Sequence, residues 1–418
     1  MGYLRRQMIT AALTANALRP ARSVRAGIPS FAAGWLTSEL APHLLALTAA
    51  DTAVHLARGR RSPLGVALAA ASAVGLGSIV RESQRAQDRV ESALVDGIGA
   101  DYVEQLDALP SPADLATPWR SLVNPFAMRD KQIERVRNIS FGPAGKRNVL
   151  DLYLPSEIGA EPAPVLLQVH GGAWTIGNKD QQGIPLMQHM ARRGWICVAI
   201  NYRLSPRDAF PAHIIDVKRA IAWIRENIAE YGGDPRYLAI TGGSAGGHLA
   251  ALAAVTANDP AFQPGFEDID TTIQVAVPHY GFYDIAASTG LASSRTVRDS
   301  FLAKRVFQTS WSQDPQAFEE ADPILRVTPD APDFFVIHGS NDTLVPVEQG
   351  RQFVRRLREV SRRSVVYAEL PGTQHAFDVF PSIRGAHVVR AVDRYLTWHW
   401  NSWRTGRRTV PQAETSAR

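Results

Sequence analysis

Residues 237–247 read YLAITGGSAGG, an apolar run that leads directly into a turn of small residues. The apolar run has the length of a buried strand, and the alanine- and leucine-rich stretch at 249–255 predicts a helix. Ser244 therefore lies in a Gly-x-Ser-x-Gly turn between a strand and a helix, the context in which such a serine acts as a nucleophile. The glycines let strand and helix close around a sharply turned serine, and the helix N-terminus favours negative charge. Taken alone, the pentapeptide also fits a glycine-rich turn with a capping serine.

Eight short apolar runs between residues 135 and 370 predict the strands of one sheet. Because helical patterns alternate with most of these runs, the pattern predicts the α/β class, with a mostly parallel sheet covered by helices on both faces. The predicted strands are Arg135–Phe141, Asn148–Leu154, Pro164–Val169, Trp195–Ile200, Tyr237–Thr241, Gln274–Val277, Phe334–His338 and Val365–Leu370. Predicted helices cover Pro211–Tyr231, Leu249–Val255, Glu348–Val360 and His387–Trp398. Since ligands bind at the carboxyl ends of parallel strands, we look for chemistry just after each strand.

Two glycines follow the strand at residues 164–169, in the sequence HGGAW at 170–174. Such glycines let backbone N–H groups approach a reacting carbonyl, so we predict Gly171, Gly172 and the N–H of Ala245 as an oxyanion hole. His170 precedes the glycines, where its expected role is to brace the loop.

An acid and a histidine follow the last two predicted strands. Asp342 comes just after the strand at 334–338, and His375 lies in the loop after the strand at 365–370. Ser244, Asp342 and His375 then stand in the chain order of α/β-hydrolase triads, with His375 as the general base. Asp284 is the second candidate for the acid, whereas Asp378 lies too close in sequence to the histidine.

The remaining histidines and the single cysteine fit structural roles. Cys197 lies in a buried strand pattern, where a small apolar role is favoured over a reactive thiol. The histidines in predicted strands and helices are His213, His248, His279 and His338. Acyl transfer through a serine requires no metal and no organic cofactor, so none is expected.

Six motifs between residues 135 and 398 resemble those of the hormone-sensitive-lipase-like carboxylesterases. They are HGGAW at 170–174, NYRL at 201–204, GDP at 233–235, GGSAGG at 242–247, HGSND at 338–342 and HAF at 375–377. The N-terminal apolar extension is similar to that of the Lip-type esterases of actinobacteria. This resemblance implies the α/β-hydrolase fold, hydrolysis of short- to medium-chain acyl esters, and a helical cap over the site.

Two other functions stay open at the level of sequence. Ala173 and Trp174 stand where a third glycine is expected, and HGGxW also resembles the kynurenine formamidases, which cleave an N-formyl amide. An arylformamidase or amidase with the same triad is therefore the main alternative. A binding protein on an inactive hydrolase scaffold is the third, and the intact Ser244, Asp342 and His375 argue against it.

The first 130 residues form an apolar, basic extension before the catalytic domain. Residues 1–61 contain eight arginines and two acidic residues, a net charge of +6 in a chain of net charge +5. This asymmetry favours a membrane surface over nucleic acid as a partner. Residues 62–80 carry no charge and are close to the ~20 residues that span a bilayer. A membrane anchor and a helix packed on the catalytic domain explain that segment equally well, and a cleaved export signal explains it less well.

These observations divide the chain into three parts. Residues 1–130 are predicted to be a helical extension, residues 131–403 the α/β-hydrolase domain, and residues 404–418 a disordered tail. Aromatic residues between Asp284 and Pro332, together with residues 82–130, are expected either to wall the substrate pocket or to belong to the ordinary core. The expected partners are a small-molecule or lipid ester and a membrane surface. The predicted location is the membrane or cell envelope, with the cytoplasm as the alternative; the sequence gives no oligomeric state.

Overall fold

One sheet of eight strands forms the centre of the structure, a computed structural model in which residues 1–21, 26–157, 159 and 161–406 are described. The strand order is β1-β2-β4-β3-β5-β6-β7-β8; β2 is antiparallel to both of its neighbours, β1 and β4, and all other neighbouring strands are parallel. The strands are β1 (Glu134–Ser140), β2 (Val149–Leu154), β3 (Ala163–Val169), β4 (Ile196–Ile200), β5 (Gly233–Gly243), β6 (Val275–His279), β7 (Asp333–Gly339) and β8 (Val365–Leu370). All eight predicted strands are present, and the predicted α/β-hydrolase fold is confirmed.

Helices cover both faces of this sheet because β3 to β7 are apolar on both sides. Leu166 and Leu167 of β3 are both fully buried although they point to opposite faces. The helices of residues 86–404 are α5 (Ala86–Ile98), α6 (Pro112–Leu115), α7 (Trp119–Leu122), α8 (Ile184–Arg192), α9 (Ala212–Asn227), α10 (Ala245–Val255), α11 (Ala292–Val297), α12 (Pro315–Glu320), α13 (Pro323–Arg326), α14 (Glu348–Val360) and α15 (Ile383–Arg404). One core lies between the sheet and α9, α10 and α14, and the other between the sheet and α5, α8 and α15.

The segment between β6 and β7 packs into the core more than it walls a pocket. It consists of α11, a π-helical stretch at Arg298–Phe307, α12 and α13. Phe307 and Phe318 stack at 4.1 Å and belong to the first core. For these two aromatic residues the ordinary-core alternative is therefore the correct one.

The core of the hydrolase fold begins well before residue 131. Helix α5 packs on β8 and α15, and an added Cβ at Gly97 would lie 2.7 Å from the Val366 side chain. Val90 and Leu94 of α5 are fully buried in the same core. At the other end α15 continues to Arg404, whereas residues 407–418, most of the predicted tail, lie outside the described residues.

Four helices precede this core and form the N-terminal layer, residues 1–84. They are α1 (Tyr3–Leu18), α2 (Gly27–Glu39), α3 (Ala41–Ala57) and α4 (Pro63–Gln84). Helix α4 packs against α1 and α3, where added Cβ atoms at Gly65 and Gly75 would meet the side chains of Tyr3 and Thr14. Close approach of helix backbones is the reason for small residues at these positions.

The N-terminal layer buries many polar residues around a small apolar cluster of Ala17, Ala41, Leu76 and Ile79, and it exposes many apolar residues. On α2 the buried positions include Ser30, Thr37 and Glu39, whereas Ile28 and Leu36 are exposed. The same inversion recurs on the other helices of the layer. Buried polar residues there are Gln7, Thr14, Thr48, Ser72 and Ser83, and exposed apolar residues are Leu4, Met8, Ile9, Leu18, Leu47, Val54, Leu56, Leu64 and Val74. A helix pair that packs in water shows the opposite arrangement.

Candidate active site

Ser244 lies at the tip of the turn that joins β5 to α10. Its backbone has φ 60° and ψ −122°, a strained conformation for a residue with a side chain. Neighbouring glycines make the turn sterically feasible, because an added Cβ at Gly246 would lie 2.2 Å from the carbonyl oxygen of Val169. The Ser244 N–H donates to the carbonyl of His279 at 3.0 Å, which fixes the serine over the end of β6. The predicted strand–nucleophile–helix arrangement is thus present.

Asp342 and His375 form a buried pair beside this turn. His375 Nδ1 and Asp342 Oδ2 are 2.6 Å apart, and the two residues are each 4% exposed. Asp342 Oδ1 accepts the backbone N–H groups of Leu344 and Val345 at 2.9 and 2.8 Å. Burial by itself would raise the pKa of Asp342, but the His375 imidazole and the hydrogen bonds from His338 and His375 lower it to about 2. The ionised carboxylate fixes the imidazole with Nδ1 toward Asp342, which leaves Nε2 for a substrate-side proton.

A tyrosine ring links the imidazole to the nucleophile turn. Tyr280 packs on His375 with ring centroids 4.5 Å apart, and an added Cβ at Gly243 would lie 2.5 Å from the Tyr280 hydroxyl oxygen. Within the described ranges the Ser244 hydroxyl has no hydrogen-bond partner. Catalytic hydrogen bonds are often long in unliganded sites and shorten when substrate binds.

The predicted oxyanion loop lies directly against Ser244. An added Cβ at Gly171 would lie 3.1 Å from the Ser244 Cβ. However, the Gly171 N–H donates to Gln182 Oε1 at 2.7 Å, so in this conformation it is not free to bind an oxyanion. Among the described residues no acceptor takes the N–H of Gly172 or Ala245. In this conformation the candidate oxyanion donors with a free N–H are therefore Gly172 and Ala245.

Comparison with known proteins places the chain in a family. Residues 150–357 match the family model BD-FAE. The "Probable carboxylic ester hydrolase LipM" of Mycobacterium tuberculosis is 45% identical over 397 residues, which cover 93% of this chain and 91% of that protein. "Esterase LipQ" of the same organism is 46% identical and covers 75% of each chain. The chain belongs to this family of carboxylic ester hydrolases.

Solved structures support the fold of this esterase family. A "Truncated form of carbohydrate esterase from gut microbiota" matches with a TM-score of 0.53 at 23% identity, over 65% of this chain and 98% of that one. Esterase B from Lactobacillus rhamnosis matches with a TM-score of 0.54 at 17% identity, over 66% of this chain and 90% of that one. The LipM match leaves less than a tenth of this chain uncovered, so it includes most of the N-terminal layer.

Two histidines brace the oxyanion loop of this esterase, as expected for residues with structural roles. His170 Nδ1 donates to the Gly171 carbonyl at 2.7 Å, and burial lowers the pKa of His170 to about 4. Trp174 Nε1 donates to His248 Nδ1 at 3.2 Å, while His248 Nε2 donates to the Ala321 carbonyl at 2.8 Å. Gly172, Ala173 and Trp174 all have positive φ, so the indole–imidazole bond holds a strained loop in place. Trp174 in the HGGAW motif thus has a structural explanation.

Two acids that sequence reasoning considered have other partners. Asp284 accepts hydrogen bonds from Ser288 and from Thr289, and the structure does not bring it to His375. Asp378 binds His279 Nδ1 at 3.0 Å and the hydroxyl of Tyr280. Neither acid replaces Asp342, and among the described residues no cluster of three or more potential metal ligands is present.

Helix α2, which sequence reasoning treated only as part of the apolar extension, contacts the His375 imidazole. The ring of Phe31 meets His375 edge-on, with centroids 5.9 Å apart. Thr343, next to the catalytic acid, donates from Oγ1 to the carbonyl of Gly27 at 3.1 Å. An added Cβ at Gly34 would lie 3.5 Å from Gln374, which precedes the imidazole. The buried face of α2 carries small residues spaced three and four apart, and this spacing is the only signal in the sequence for the close approach of α2 to the histidine loop.

Proposed function

We propose that Ser244, His375 and Asp342 hydrolyse carboxylic esters through an acyl-enzyme. Ser244 Oγ attacks the acyl carbon while His375 Nε2 takes its proton, and the N–H groups of Gly172 and Ala245 stabilise the oxyanion. The ester C–O bond then breaks as His375 returns the proton to the leaving alkoxide. Water, deprotonated by His375, attacks the acyl group, releases the acid and restores Ser244.

One observation carries this proposal: a fully buried Asp342 holds His375 at 2.6 Å beside a serine in a strained strand–helix turn. The test is Ser244→Ala in the full chain, with p-nitrophenyl butyrate as substrate and a fluorophosphonate as active-site label. We expect Ser244→Ala to lose both turnover and labelling. Labelling of another residue, or undiminished turnover, would contradict the assignment. The curated relatives are esterases, so the formamidase alternative is not favoured.

We further propose that the enzyme prefers short- to medium-chain acyl groups. The Phe31 ring meets the imidazole edge-on, with centroids 5.9 Å apart, and so occupies space beside it. A series of p-nitrophenyl acetate, butyrate, octanoate and palmitate measures the preference. We expect kcat/KM to peak at butyrate or octanoate in the wild type, and Phe31→Ala to shift the peak to longer chains. A maximum at palmitate in the wild type would contradict the proposal.

We infer that the N-terminal layer binds a lipid bilayer and places the catalytic domain at its surface. Buried small and polar residues together with an apolar exterior are typical of helices that pack in lipid, where small and polar residues join the helices. Among the residues that the structure describes, 12 of the 19 exposed large apolar residues lie within the first 84 positions. Within the helical segment Pro63–Ile98, an 18-residue window has a mean hydropathy of 1.8, and only 28% of that window is buried.

Vesicle flotation of the full chain tests this inference. Leu47→Glu and Val74→Glu place a charge on exposed positions of the layer, and Leu109→Glu places one at a position of similar exposure outside it. We expect the first two variants to lose binding to phosphatidylcholine–phosphatidylglycerol vesicles, and the third to bind like the wild type. Release of the wild type from cell membranes by high salt and carbonate would argue against the inference. A stable dimer of detergent-free protein would instead assign the apolar surface to a second copy.

A further inference from the structure

His375 has to reach Ser244 from a distant strand. Ser244 follows β5, whereas His375 follows β8, and β6 and β7 lie between them. At the usual spacing between neighbouring strands this separation is about 14 Å. Asp342, which follows β7, sets the orientation of the imidazole ring. A second constraint is needed to hold the histidine loop across β6 toward the nucleophile.

Asp378 provides a contact at that position. It lies three residues after His375 in the same loop, and its side chain is 16% exposed. One carboxylate oxygen accepts a hydrogen bond from the Tyr280 hydroxyl, and the other lies 3.0 Å from His279 Nδ1. Both partners lie at the carboxyl end of β6, so Asp378 joins the histidine loop to the strand adjacent to the nucleophile strand.

Each partner of Asp378 also contacts a part of the catalytic site. The carbonyl of His279 accepts the Ser244 N–H at 3.0 Å. The ring of Tyr280 packs between Gly243 and the His375 imidazole. Tyr280 has a φ of 37°, which is strained for an aromatic residue and is held by the hydrogen bond at its hydroxyl. Movement of Asp378 would therefore displace both the nucleophile and the base.

We infer that Asp378 is a positioning residue, which through Tyr280 and His279 sets the distance between Ser244 and His375. This inference rests on the proposed function of Ser244 and His375. Asp378 touches neither the substrate nor the reacting atoms. Burial by itself would raise the pKa of Asp378, but the hydrogen bonds and charge of His279 and the Tyr280 hydroxyl lower it, so the carboxylate is ionised at neutral pH and accepts from both.

The test compares Asp378→Asn and Tyr280→Phe with the wild type on p-nitrophenyl butyrate. Tyr280→Phe keeps the ring and removes only the hydroxyl, so it tests the same contact with less risk to folding. We expect kcat to fall about 10- to 100-fold in either variant, the size of effect known for displaced catalytic groups. KM should stay unchanged, because no binding contact is lost. Turnover is expressed per active site, counted by complete fluorophosphonate labelling.

Asp333→Asn is the matched control. Asp333 also accepts hydrogen bonds from a hydroxyl and an imidazole, those of Ser364 and His399. It lies at the start of β7, at the edge of the sheet opposite to Ser244 and His375. We expect this control to lose stability while keeping kcat per labelled site. Wild-type kcat in Tyr280→Phe and in folded Asp378→Asn, or an equal loss in Asp333→Asn, would overturn the inference. Failure of the proposed function would be distinct, because Ser244→Ala would then remain active.

Discussion

A buried ion pair joins the N-terminal layer to the catalytic domain, and its removal should release α2. Glu39 at the end of α2 and Arg384 at the start of α15 are 2.9 Å apart, and both side chains are 1% exposed. Ser382 also donates to Glu39, at 2.8 Å. Glu39→Ala leaves the Arg384 guanidinium buried without its counter-charge, which costs about 3–5 kcal/mol for a pair of this kind.

Hydrogen exchange of the α2 amides measures this cost locally. Since each 1.4 kcal/mol is a factor of ten, amides that exchange when α2 detaches should exchange roughly 10²- to 4 × 10³-fold faster in Glu39→Ala. The double variant with Glu39→Met and Arg384→Met removes both charges, so it should recover much of the lost stability. The protein is measured as the full chain in detergent micelles, because the outer face of the layer is apolar.

Glu369→Ala serves as the comparison for this ion pair. Arg351 and Glu369 are 2.6 Å apart, but their side chains are 50% and 28% exposed. Pairs exposed to this degree contribute under about 1 kcal/mol, so this variant should leave exchange in α2 unchanged. Wild-type exchange of α2 in Glu39→Ala would refute the argument that the pair holds the layer on the catalytic domain.

Three further results are expected. In the p-nitrophenyl butyrate assay, Gly172→Ala should lower kcat by about 10²–10³-fold, because the new Cβ meets the Ile176 carbonyl and moves an oxyanion donor. Gly194 also has a positive φ but lies in open space, so Gly194→Ala should keep wild-type kcat. Acid denaturation should show a loss of about 2–3 kcal/mol as pH falls from about 5 to about 1, because the pKa of Asp342 is about 2 in the folded state and about 4 when unfolded. This component should be missing in Asp342→Asn. Cys197 should resist Ellman's reagent in the native protein and react after denaturation, because burial raises the pKa of its thiol; rapid native labelling would contradict this.

The fold and the catalytic residues could be predicted because their signals are local. Each strand of the sheet is a short apolar run, and the residue after it is placed at the sheet edge by the parallel arrangement alone. Ser244, Asp342 and His375 all lie just after such runs, so the topology brings them to the same edge of the sheet. Asp342 and Asp284 both follow predicted strands, and it is Asp342, the first choice, that lies 2.6 Å from His375 Nδ1.

The remaining features depend on contacts between segments that are distant in sequence. Glu39 and Arg384 are 345 positions apart in the sequence, and no pattern around either residue predicts that they form an ion pair. The hydrogen bond from the Gly171 N–H to Gln182 depends on the conformation of the polar loop that carries Gln182, and amino-acid composition does not determine that conformation. The short sequence distance between Asp378 and His375 argues against Asp378 as the catalytic acid. The same short distance places Asp378 in the loop that carries the imidazole, where it contacts His279 and Tyr280. Closeness to His375 in sequence argues against Asp378 as the acid of the triad, but it does not argue against a positioning role for Asp378.

The two faces of α2 connect the apolar exterior to the chemistry. Phe31 faces His375, whereas Ile28 and Leu36 face outward among the other exposed apolar residues of the N-terminal layer. A helix of 13 residues is about 20 Å long, and α2 is fixed near one end by Thr343 and at the other by Arg384. If the outer face lies in lipid, the rigid helix places the imidazole about one helix diameter, roughly 10 Å, from the lipid surface. An ester whose acyl chain stays in the bilayer would then reach Ser244 with little extraction, whereas a site far from the layer would require the whole chain to leave the membrane.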